Sequence, residues 1–351
     1  MDINNNNLIF FLLVSIILNL FVINFSKPIS KKLALIDKPD KTRKHHKKVT
    51  PLIASLSIVI FLFICLVYNF FYTFIVNKDF IIIFISSLAV FVVGVFDDRF
   101  DLSPIKKIIL ISLISYFAIT LSDNLLLTKF YISTYDTFFY TNFFSIFFTI
   151  LCLLTLINSF NLIDGINGLS IGVIIIWFVS FLIIYDYQLK FFSYDKSKLF
   201  FLIIILNLLT IFYFNIKNFY FLGDSGALFL SYLFGMLIIK STNENYSVGV
   251  GTYVSAEQIL VLFFIPFIDM LRLMISRIKN KKSPFEGDRN HFHHYILNFT
   301  KNKNLTIFIY FIYVIFPILL TIIFKNLKIE LIIIASLLLY ILSLKLIKNS
   351  N

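Results

Sequence analysis

Cysteine is nearly absent from this chain, with two among 351 residues. Cys65 and Cys152 both sit inside apolar runs and look like small packing residues, so neither a disulfide framework nor a zinc site is supported. The N-terminal stretch also lacks the basic region and the small-residue cleavage site of a signal peptide, so we expect the first apolar segment to be retained as a helix. No internal repeat is visible.

Charged residues are also few, at 14%, whereas 59% of the residues are apolar and the mean hydropathy is +0.90. These values lie far above soluble norms and predict that the bilayer is the solvent. Backbone groups in hydrocarbon must be paired within their own segment, and the apolar runs are too long for barrel strands, so the spans should be helices. The sequence predicts one all-α polytopic domain over residues 1–351 with about 11 transmembrane helices. They are centred on residues 8–25, 51–76, 80–96, 108–121, 140–157, 169–185, 199–214, 227–240, 258–275, 306–324 and 331–345.

Basic residues predict the orientation. Most of the 31 Lys and Arg residues lie in six segments, 26–50, 97–107, 158–168, 215–226, 272–305 and 345–351 taken together. Since basic loops stay in the cytoplasm, we expect the N-terminus outside and the C-terminus inside. The net charge of +12 would favour anionic lipid heads and nucleotide phosphates. Nucleic acid is not an expected partner, because the position of the basic residues in the predicted cytoplasmic loops is already explained by membrane topology.

Four polar patches interrupt the apolar spans, and all of them fall on the predicted cytoplasmic side. They are residues 97–101 (first patch), 158–168 (second patch), 221–226 (third patch) and 283–294 (fourth patch). A lipid-embedded protein has little reason to collect carboxylates, amides and imidazoles on one side unless a polar substrate meets it there. The pattern predicts a membrane enzyme with a phosphorylated substrate.

The first two patches are rich in oxygen ligands. If the third helix continues by a turn, Asp97 and Asp98 share a face with Asp101, and such crowded carboxylates repel unless a cation relieves them. A solvated acidic stop followed by an ordinary loop at 103–107 is an equal alternative. In the second patch Asn158, Asn161 and Asp164 recur every three residues, next to two glycines. That spacing favours a ligand site over a plain Asn/Gly turn.

The last two patches suggest phosphate binding. At Gly223-Asp224-Ser225-Gly226 the backbone amides of a helix start would suit phosphate, and Asp224 would suit Mg²⁺, although Asp-Ser is also an ordinary N-cap. His291, His293 and His294 beside Arg289 favour a cradle for phosphate oxygens over a zinc site; a solvated basic loop is the alternative. Asp269 and Arg272, three residues apart, are expected to form a structural pair.

Together, in this order and spacing, the patches resemble the polyprenyl-phosphate N-acetylhexosamine-1-phosphate transferase family. The resemblance runs from about Asp37 to His294, and the run from Pro266 to His294 is similar to the GlcNAc branch. By position it implies catalytic acids at Asp97 and Asp98 and Mg²⁺ ligands at Asn161 and Asp224, with Mn²⁺ as an alternative metal. The substrate-binding positions it implies are His46, Lys48, Asp101, Asn158, Asp164, Asn167, Arg289, His291, His293 and His294. Asn167 would read uracil.

The sequence departs from the family pattern twice. Many relatives have Asp where Asn167 stands, although the dolichol branch has Asn. The family usually has Gly-Gly where this chain has Ala54-Ser55, which leaves the role of the first loop open.

The resemblance implies a transferase of the bacterial inner membrane with its site on the cytoplasmic face. It would move N-acetylhexosamine 1-phosphate from a UDP-sugar to polyprenyl phosphate and so start a surface polysaccharide such as lipopolysaccharide; a homodimer is compatible with it. Within the same class, the phospho-N-acetylmuramoyl-pentapeptide transferase of peptidoglycan synthesis is the alternative. A different class is an ion-coupled transporter, but transporters usually show repeats and midplane charges in broken helices, whereas these acids cluster in one-sided loops.

Overall fold

The chain folds almost entirely into α-helices in a computed structural model that describes residues 5–33, 35–37, 50–52, 54–72, 78–189, 196–248, 253–285, 290–324 and 328–349. The helices are α1 Asn5–Asn24, α2 Ser26–Leu33, α3 Ala54–Tyr72, α4 Lys78–Phe100, α5 Pro104–Thr120, α6 Ser145–Asn161, α7 Leu169–Leu189, α8 Lys196–Ile216, α9 Gly223–Val248, α10 Ala256–Leu262, α11 Phe264–Lys279, α12 Phe292–Thr300, α13 Lys303–Ile323 and α14 Ile329–Asn349. Short strands β1 Ile36–Asp37 and β2 Thr50–Pro51 pair antiparallel, as do β3 Lys129–Ile132 and β4 Thr137–Tyr140.

Within the described residues, every interval predicted to span the membrane overlaps a helix or a bent helix pair. Within the described residues, five helices are long and apolar enough to cross a bilayer, or up to seven if each bent pair is one span. The two pairs bend by 63° between α1 and α2 and by 77° between α10 and α11. The protein is therefore a multi-pass all-α membrane protein, as predicted, while the count of about 11 spans and the orientation stay predictions.

Helix α9 forms the centre of the bundle, because the apolar window of Gly223–Ser247 is 100% buried by other helices. Its most extensive contact is with α4. A Cβ atom placed on Gly94 of α4 would lie 2.3 Å from the Cα of Ser225, so only glycine lets the two backbones approach this closely, as small residues do in membrane helix pairs. The crossing brings the end of α4 to the start of α9.

The β3–β4 hairpin lies at the other end of α9. The backbone N–H of Tyr131 in β3 donates to the Tyr246 hydroxyl near the end of α9, at 3.2 Å. At this same end Asp79, the second residue of α4, accepts hydrogen bonds from Ser122 at 2.6 Å and Asn124 at 2.9 Å. The described parts of the four polar patches are all far along the helices from this hairpin, at the opposite end.

Candidate active site

Asp98 joins the first patch to the third by capping helix α9. Its carboxylate accepts the backbone N–H of Asp224 at 2.8 Å and of Ser225 at 3.0 Å. Gly223 makes room for it: its φ is +74°, and a Cβ there would lie 2.9 Å from Asp98 Oδ2. The prediction that the amides of this helix start bind phosphate is therefore wrong for Asp224 and Ser225, because a carboxylate from α4 already occupies both donors.

Asp97 is buried beside Asp224. One oxygen accepts the backbone N–H of Leu102 at 2.9 Å and the other accepts the Lys107 ammonium at 2.7 Å. The Asp224 side chain lies within hydrogen-bonding reach of Asp97. Two carboxylates this close repel each other unless a proton or a cation lies between them. The pair is thus a place where positive charge is needed, and Lys107 supplies part of it.

Asp101 does not join these acids. Helix α4 ends at Phe100, and Asp101 takes a left-handed conformation with φ +51° and an exposed side chain. The expected shared face with Asp97 and Asp98 is therefore wrong, because the helix does not continue through residue 101. The segment 103–107 is not an ordinary loop either, since α5 begins at Pro104 and carries Lys107 onto Asp97.

The second patch begins where α6 ends, at Asn161. The Oδ1 atom of Asn161 is buried and has no hydrogen-bond partner among the residues that the structure describes. An unsatisfied buried acceptor is costly unless a ligand completes it. Asp164 accepts a hydrogen bond from Ser170 and lies within electrostatic range of Asp224. Asn158, one turn before Asn161 on α6, is partly buried.

Asn215 ties the second patch to the third, and the sequence analysis did not single it out. Its side chain is buried at the end of α8, where Oδ1 accepts the N–H of Gly168 at 2.6 Å and Nδ2 donates to the Tyr220 carbonyl at 2.9 Å. The only feature of the sequence that could have pointed to Asn215 is a lone amide at the end of an apolar run.

Asn167, which the sequence analysis did single out, donates a hydrogen bond to Asn218 Oδ1 at 2.9 Å, and Lys303 donates to the same oxygen at 3.0 Å.

The histidines of the fourth patch stack at the start of α12. The rings of His291 and His293 are 5.4 Å apart and nearly parallel, and the His294 ring lies 4.2 Å from that of His293. A Cβ on Gly165 would lie 2.7 Å from His293 Nε2, so the fourth patch contacts the second patch directly.

Three of the predicted substrate-binding residues, His46, Lys48 and Arg289, lie outside the described residues.

His293 is 1% exposed, and neither ring nitrogen has a hydrogen-bond partner within the described part of the chain. Burial, with the neighbouring His294 and His291, lowers the pKa of His293 well below its usual value. The imidazole is therefore neutral at physiological pH and can offer one donor and one acceptor.

His293 should make stability depend on pH. Because its folded pKa is lowered, its contribution is fully present above the unfolded pKa of about 6.5 and is lost as the pH falls towards the folded value. We expect the unfolding midpoint of detergent-solubilised protein to drop between pH 7 and pH 5, and to drop less in His293→Gln. The loss is about 1.4 kcal/mol per pH unit inside that window. Parallel curves for the two proteins would contradict a buried neutral His293.

The site offers the oxygen ligands that Mg²⁺ prefers. Asn161 Oδ1 has no partner among the described residues, and the carboxylate of Asp224 is pressed against that of Asp97. Across the described ranges there is no group of three or more His, Cys, Asp and Glu side chains arranged to hold a metal ion. Mg²⁺ does not require such a group, since it commonly takes one or two protein oxygens together with water and substrate phosphates. The residues therefore fit this ion, or Mn²⁺.

Ser55 fills the position where the family pattern has glycine. Its hydroxyl lies 3.0 Å from that of Ser225, one residue after Asp224. The neighbouring backbone is also connected, because Phe221 donates to the Pro51 carbonyl at 2.9 Å and Ala54 donates to the Phe221 carbonyl at 3.2 Å. The start of α3 is thus part of the support beneath the third patch.

The fold and the site define a polytopic membrane protein with buried carboxylates, amides and imidazoles gathered at one end of its helices. The model of glycosyl transferase family 4 matches residues 80–242, which include the first three patches. The match covers less than half of the chain, and over those residues the chain is similar to this family.

Three bacterial relatives show how far the similarity extends. The undecaprenyl-phosphate alpha-N-acetylglucosaminyl 1-phosphate transferase of Escherichia coli (strain K12) is 26% identical over 283 residues, covering 78% of this chain and 72% of that protein. The Salmonella typhi protein of the same name is 28% identical over 291 residues, covering 81% and 75%. The probable undecaprenyl-phosphate N-acetylglucosaminyl 1-phosphate transferase of Bacillus subtilis (strain 168) is 25% identical over 306 residues, covering 86% and 81%.

Proposed function

We propose that this protein transfers N-acetylhexosamine 1-phosphate from a UDP-sugar to a polyprenyl phosphate and releases UMP. The observation that carries the proposal is the juxtaposition of Asp97 with Asp224, at a helix start held by Asp98, within a family of transferases. The names of the relatives support undecaprenyl phosphate as the acceptor and GlcNAc as the sugar.

The reaction forms one phosphoanhydride bond and breaks another. An oxygen of the lipid phosphate attacks the β-phosphorus of the UDP-sugar, and the bond from that phosphorus to the bridging oxygen of UMP breaks. Asn161 and Asp224 would hold Mg²⁺, which supplies charge neutralisation at the diphosphate. Such chemistry depends mainly on positioning and electrostatics.

The side chains divide this work between the two substrates. Asp97, held between Leu102 and Lys107, orients or deprotonates the lipid phosphate, and the Lys107 ammonium adds positive charge beside it. His291, His293 and His294 present imidazole nitrogens to the diphosphate, and Asn167 faces the uracil. The lipid tail stays in the bilayer while its head reaches the helix ends where these residues lie.

The placement in the cell is also part of the proposal. The site faces the cytoplasm in a bacterial inner membrane, where UDP-sugars are made, and the product starts a surface polysaccharide such as the O-antigen of lipopolysaccharide. The excess of Lys and Arg in the loops predicted to lie on the same side of the membrane as the polar patches supports that orientation.

The test of the reaction uses its near reversibility. Since one phosphoanhydride replaces another, reactants and products should differ by no more than a few factors of ten, each about 1.4 kcal/mol. Purified protein given polyprenyl-diphospho-GlcNAc, Mg²⁺ and excess UMP should regenerate UDP-GlcNAc. Labelled UMP should exchange into UDP-GlcNAc only when polyprenyl phosphate is present. A parallel assay with UDP-GalNAc and UDP-MurNAc-pentapeptide identifies the sugar.

The two failures of this test mean different things. Exchange without lipid would indicate a covalent phospho-sugar enzyme. If protein that binds UDP-sugar shows no exchange under any condition, the transferase assignment is wrong.

Cysteine labelling tests the orientation. In a protein with Cys65 and Cys152 replaced by serine, Tyr135→Cys in the hairpin and Asn280→Cys after α11 place single thiols at exposed positions of opposite ends. An impermeant maleimide applied to intact cells should label only residue 135. Labelling of residue 280 from outside would place the site on the wrong face for a cytoplasmic nucleotide.

A further inference from the structure

The carboxylate of Asp269 supplies the N-terminal cap of helix α12. His291 is the N-cap residue of that helix, and its own side chain makes no capping hydrogen bond. Instead Oδ2 of Asp269, from α11, accepts the backbone N–H of Phe292 at 3.0 Å. A cap of this kind satisfies a donor that the helix itself leaves free, and a negative charge suits the helix start. The helix that carries the histidines is thus anchored from a neighbouring helix.

Arg272 holds the other side of His291. Its guanidinium donates to the backbone carbonyl of Asn290 and also pairs with Asp269 Oδ1, at 2.7 Å from Nη2 and 3.1 Å from Nε. The expected structural pairing of Asp269 with Arg272 is therefore confirmed. Arg272 and Asp269 thus form hydrogen bonds with the backbone immediately before and immediately after His291, and these bonds fix the position of its imidazole.

Tyr340 completes this arrangement from the last helix, α14. Its hydroxyl donates to Asp269 Oδ1 at 2.6 Å and accepts from Arg272 Nε at 2.9 Å. Both Asp269 and Tyr340 are 2% exposed. A hydrogen bond to a buried charged group is stronger than one between neutral groups. The Tyr340 hydroxyl therefore stabilises the buried Asp269 carboxylate more than it would stabilise a water-exposed one. The Tyr340 ring also packs edge-on against Phe292, with ring centroids 4.9 Å apart.

We infer that Tyr340, acting through Asp269 and Arg272, positions the histidine helix over the second patch and thereby sets the affinity for the diphosphate of the UDP-sugar. The inference rests on the proposed function, because it takes the histidines as ligands of that diphosphate. Tyr340 is a positioning residue, not a catalytic one. It lies beyond both the match at residues 80–242 and the run of polar patches, so neither assigns it a role.

The chain offers a matched control in Tyr313 of α13. Its ring also packs edge-on against Phe292, at 5.0 Å, and its hydroxyl bonds to Ser343 of the same helix α14. Tyr313→Phe and Tyr340→Phe each remove one tyrosine hydroxyl from the same aromatic cluster, partly buried in Tyr313 and buried in Tyr340. Only Tyr340→Phe removes a hydrogen bond to Asp269.

The experiment compares both variants with the unmodified protein. For Tyr340→Phe we expect the Kd and KM for UDP-GlcNAc to rise about tenfold, the effect of losing one hydrogen bond to a charged group, while the KM for polyprenyl phosphate stays unchanged. For Tyr313→Phe both constants should stay within about twofold of the unmodified protein, with a similar shift in unfolding midpoint. Asp269→Asn should raise the Kd in the same direction.

Each outcome has a separate meaning. If the two Tyr→Phe variants change nucleotide affinity equally, or if Tyr340→Phe lowers only the unfolding midpoint, the positioning role is wrong. If the unmodified protein binds UDP-GlcNAc but transfers nothing, the proposed function fails instead. The binding measurement still decides the role of Tyr340 in that case.

Discussion

Asp224→Asn should lower Mg²⁺-dependent turnover at least about a thousandfold, since a metal site contributes several kcal/mol of charge stabilisation and about 1.4 kcal/mol is a factor of ten. The fold should survive, because the hydrogen bond from residue 224 to Asp98 uses the backbone N–H, which the substitution leaves intact. The unfolding midpoint should hold steady or rise, because a carboxylate close to Asp97 becomes neutral. Transfer assays over a Mg²⁺ titration, with unfolding followed in parallel, measure both effects.

Asp79→Asn is the matched control for this prediction. Asp79 is also a buried carboxylate of the bundle, at 6% exposure, but it accepts from Ser122 and Asn124 at the hairpin end. We expect this variant to lose stability by about 1 kcal/mol and to keep its turnover. Turnover of Asp224→Asn at the level of the unmodified protein would mean that the metal is held elsewhere.

Gly94→Ala should reduce turnover about a hundredfold or more, because misplacing reacting groups by about 1 Å has an effect of that size. The new Cβ would lie 2.3 Å from the Ser225 Cα and 2.8 Å from its backbone nitrogen, neither of which can rotate away. Helices α4 and α9 must therefore separate, and that moves Asp97 and Asp98 away from Asp224. Turnover and unfolding midpoint of the purified variant measure the effect.

Gly235→Ala tests whether the position or the residue type matters. Gly235 also lies in α9, but a Cβ there would meet only the Cδ2 atoms of Leu153 and Leu156, both at 2.9 Å. Flexible side-chain ends can move by rotating, so this variant should keep turnover within about threefold of the unmodified protein and change stability only modestly. Equal losses in both variants would show that the close approach at Gly94 does not position the site.

Periodicity and hydropathy were sufficient to predict the helices, because a chain in hydrocarbon has few other ways to satisfy its backbone. They could not predict the break at Phe263 or the crossing at Gly94. The capping box between Ser255 and Gln258 determines only where α10 begins, not where it breaks, and the crossing depends on a contact between residues 94 and 225 that no local pattern records.

The candidate site could be predicted as a set of residue types and not as a set of contacts. Asp97, Asp98 and Asp224 could be singled out because acids are rare beside apolar spans. Which acid would cap a helix and which would lie beside Asp224 depended on the crossing of α4 with α9. Asn215 and Lys107 were missed for the same reason, since each looks like an ordinary residue at a helix end until its distant partner is known.

The bond between Asp98 and the start of α9 also constrains how the protein is made. The acceptor Asp98 and the donor Asp224 are separated by 126 residues. A ribosome adds that many residues in roughly 6 to 25 s at about 5–20 residues per second. During that interval α5 to α8 are synthesised, and the carboxylate of Asp98 has no helix start to cap. Membrane insertion must therefore leave the end of α4 in contact with water until α9 arrives. A nascent chain that stalls before residue 225 would carry the acids of the first patch without their structural partner, and would present quality-control proteases with an unassembled site.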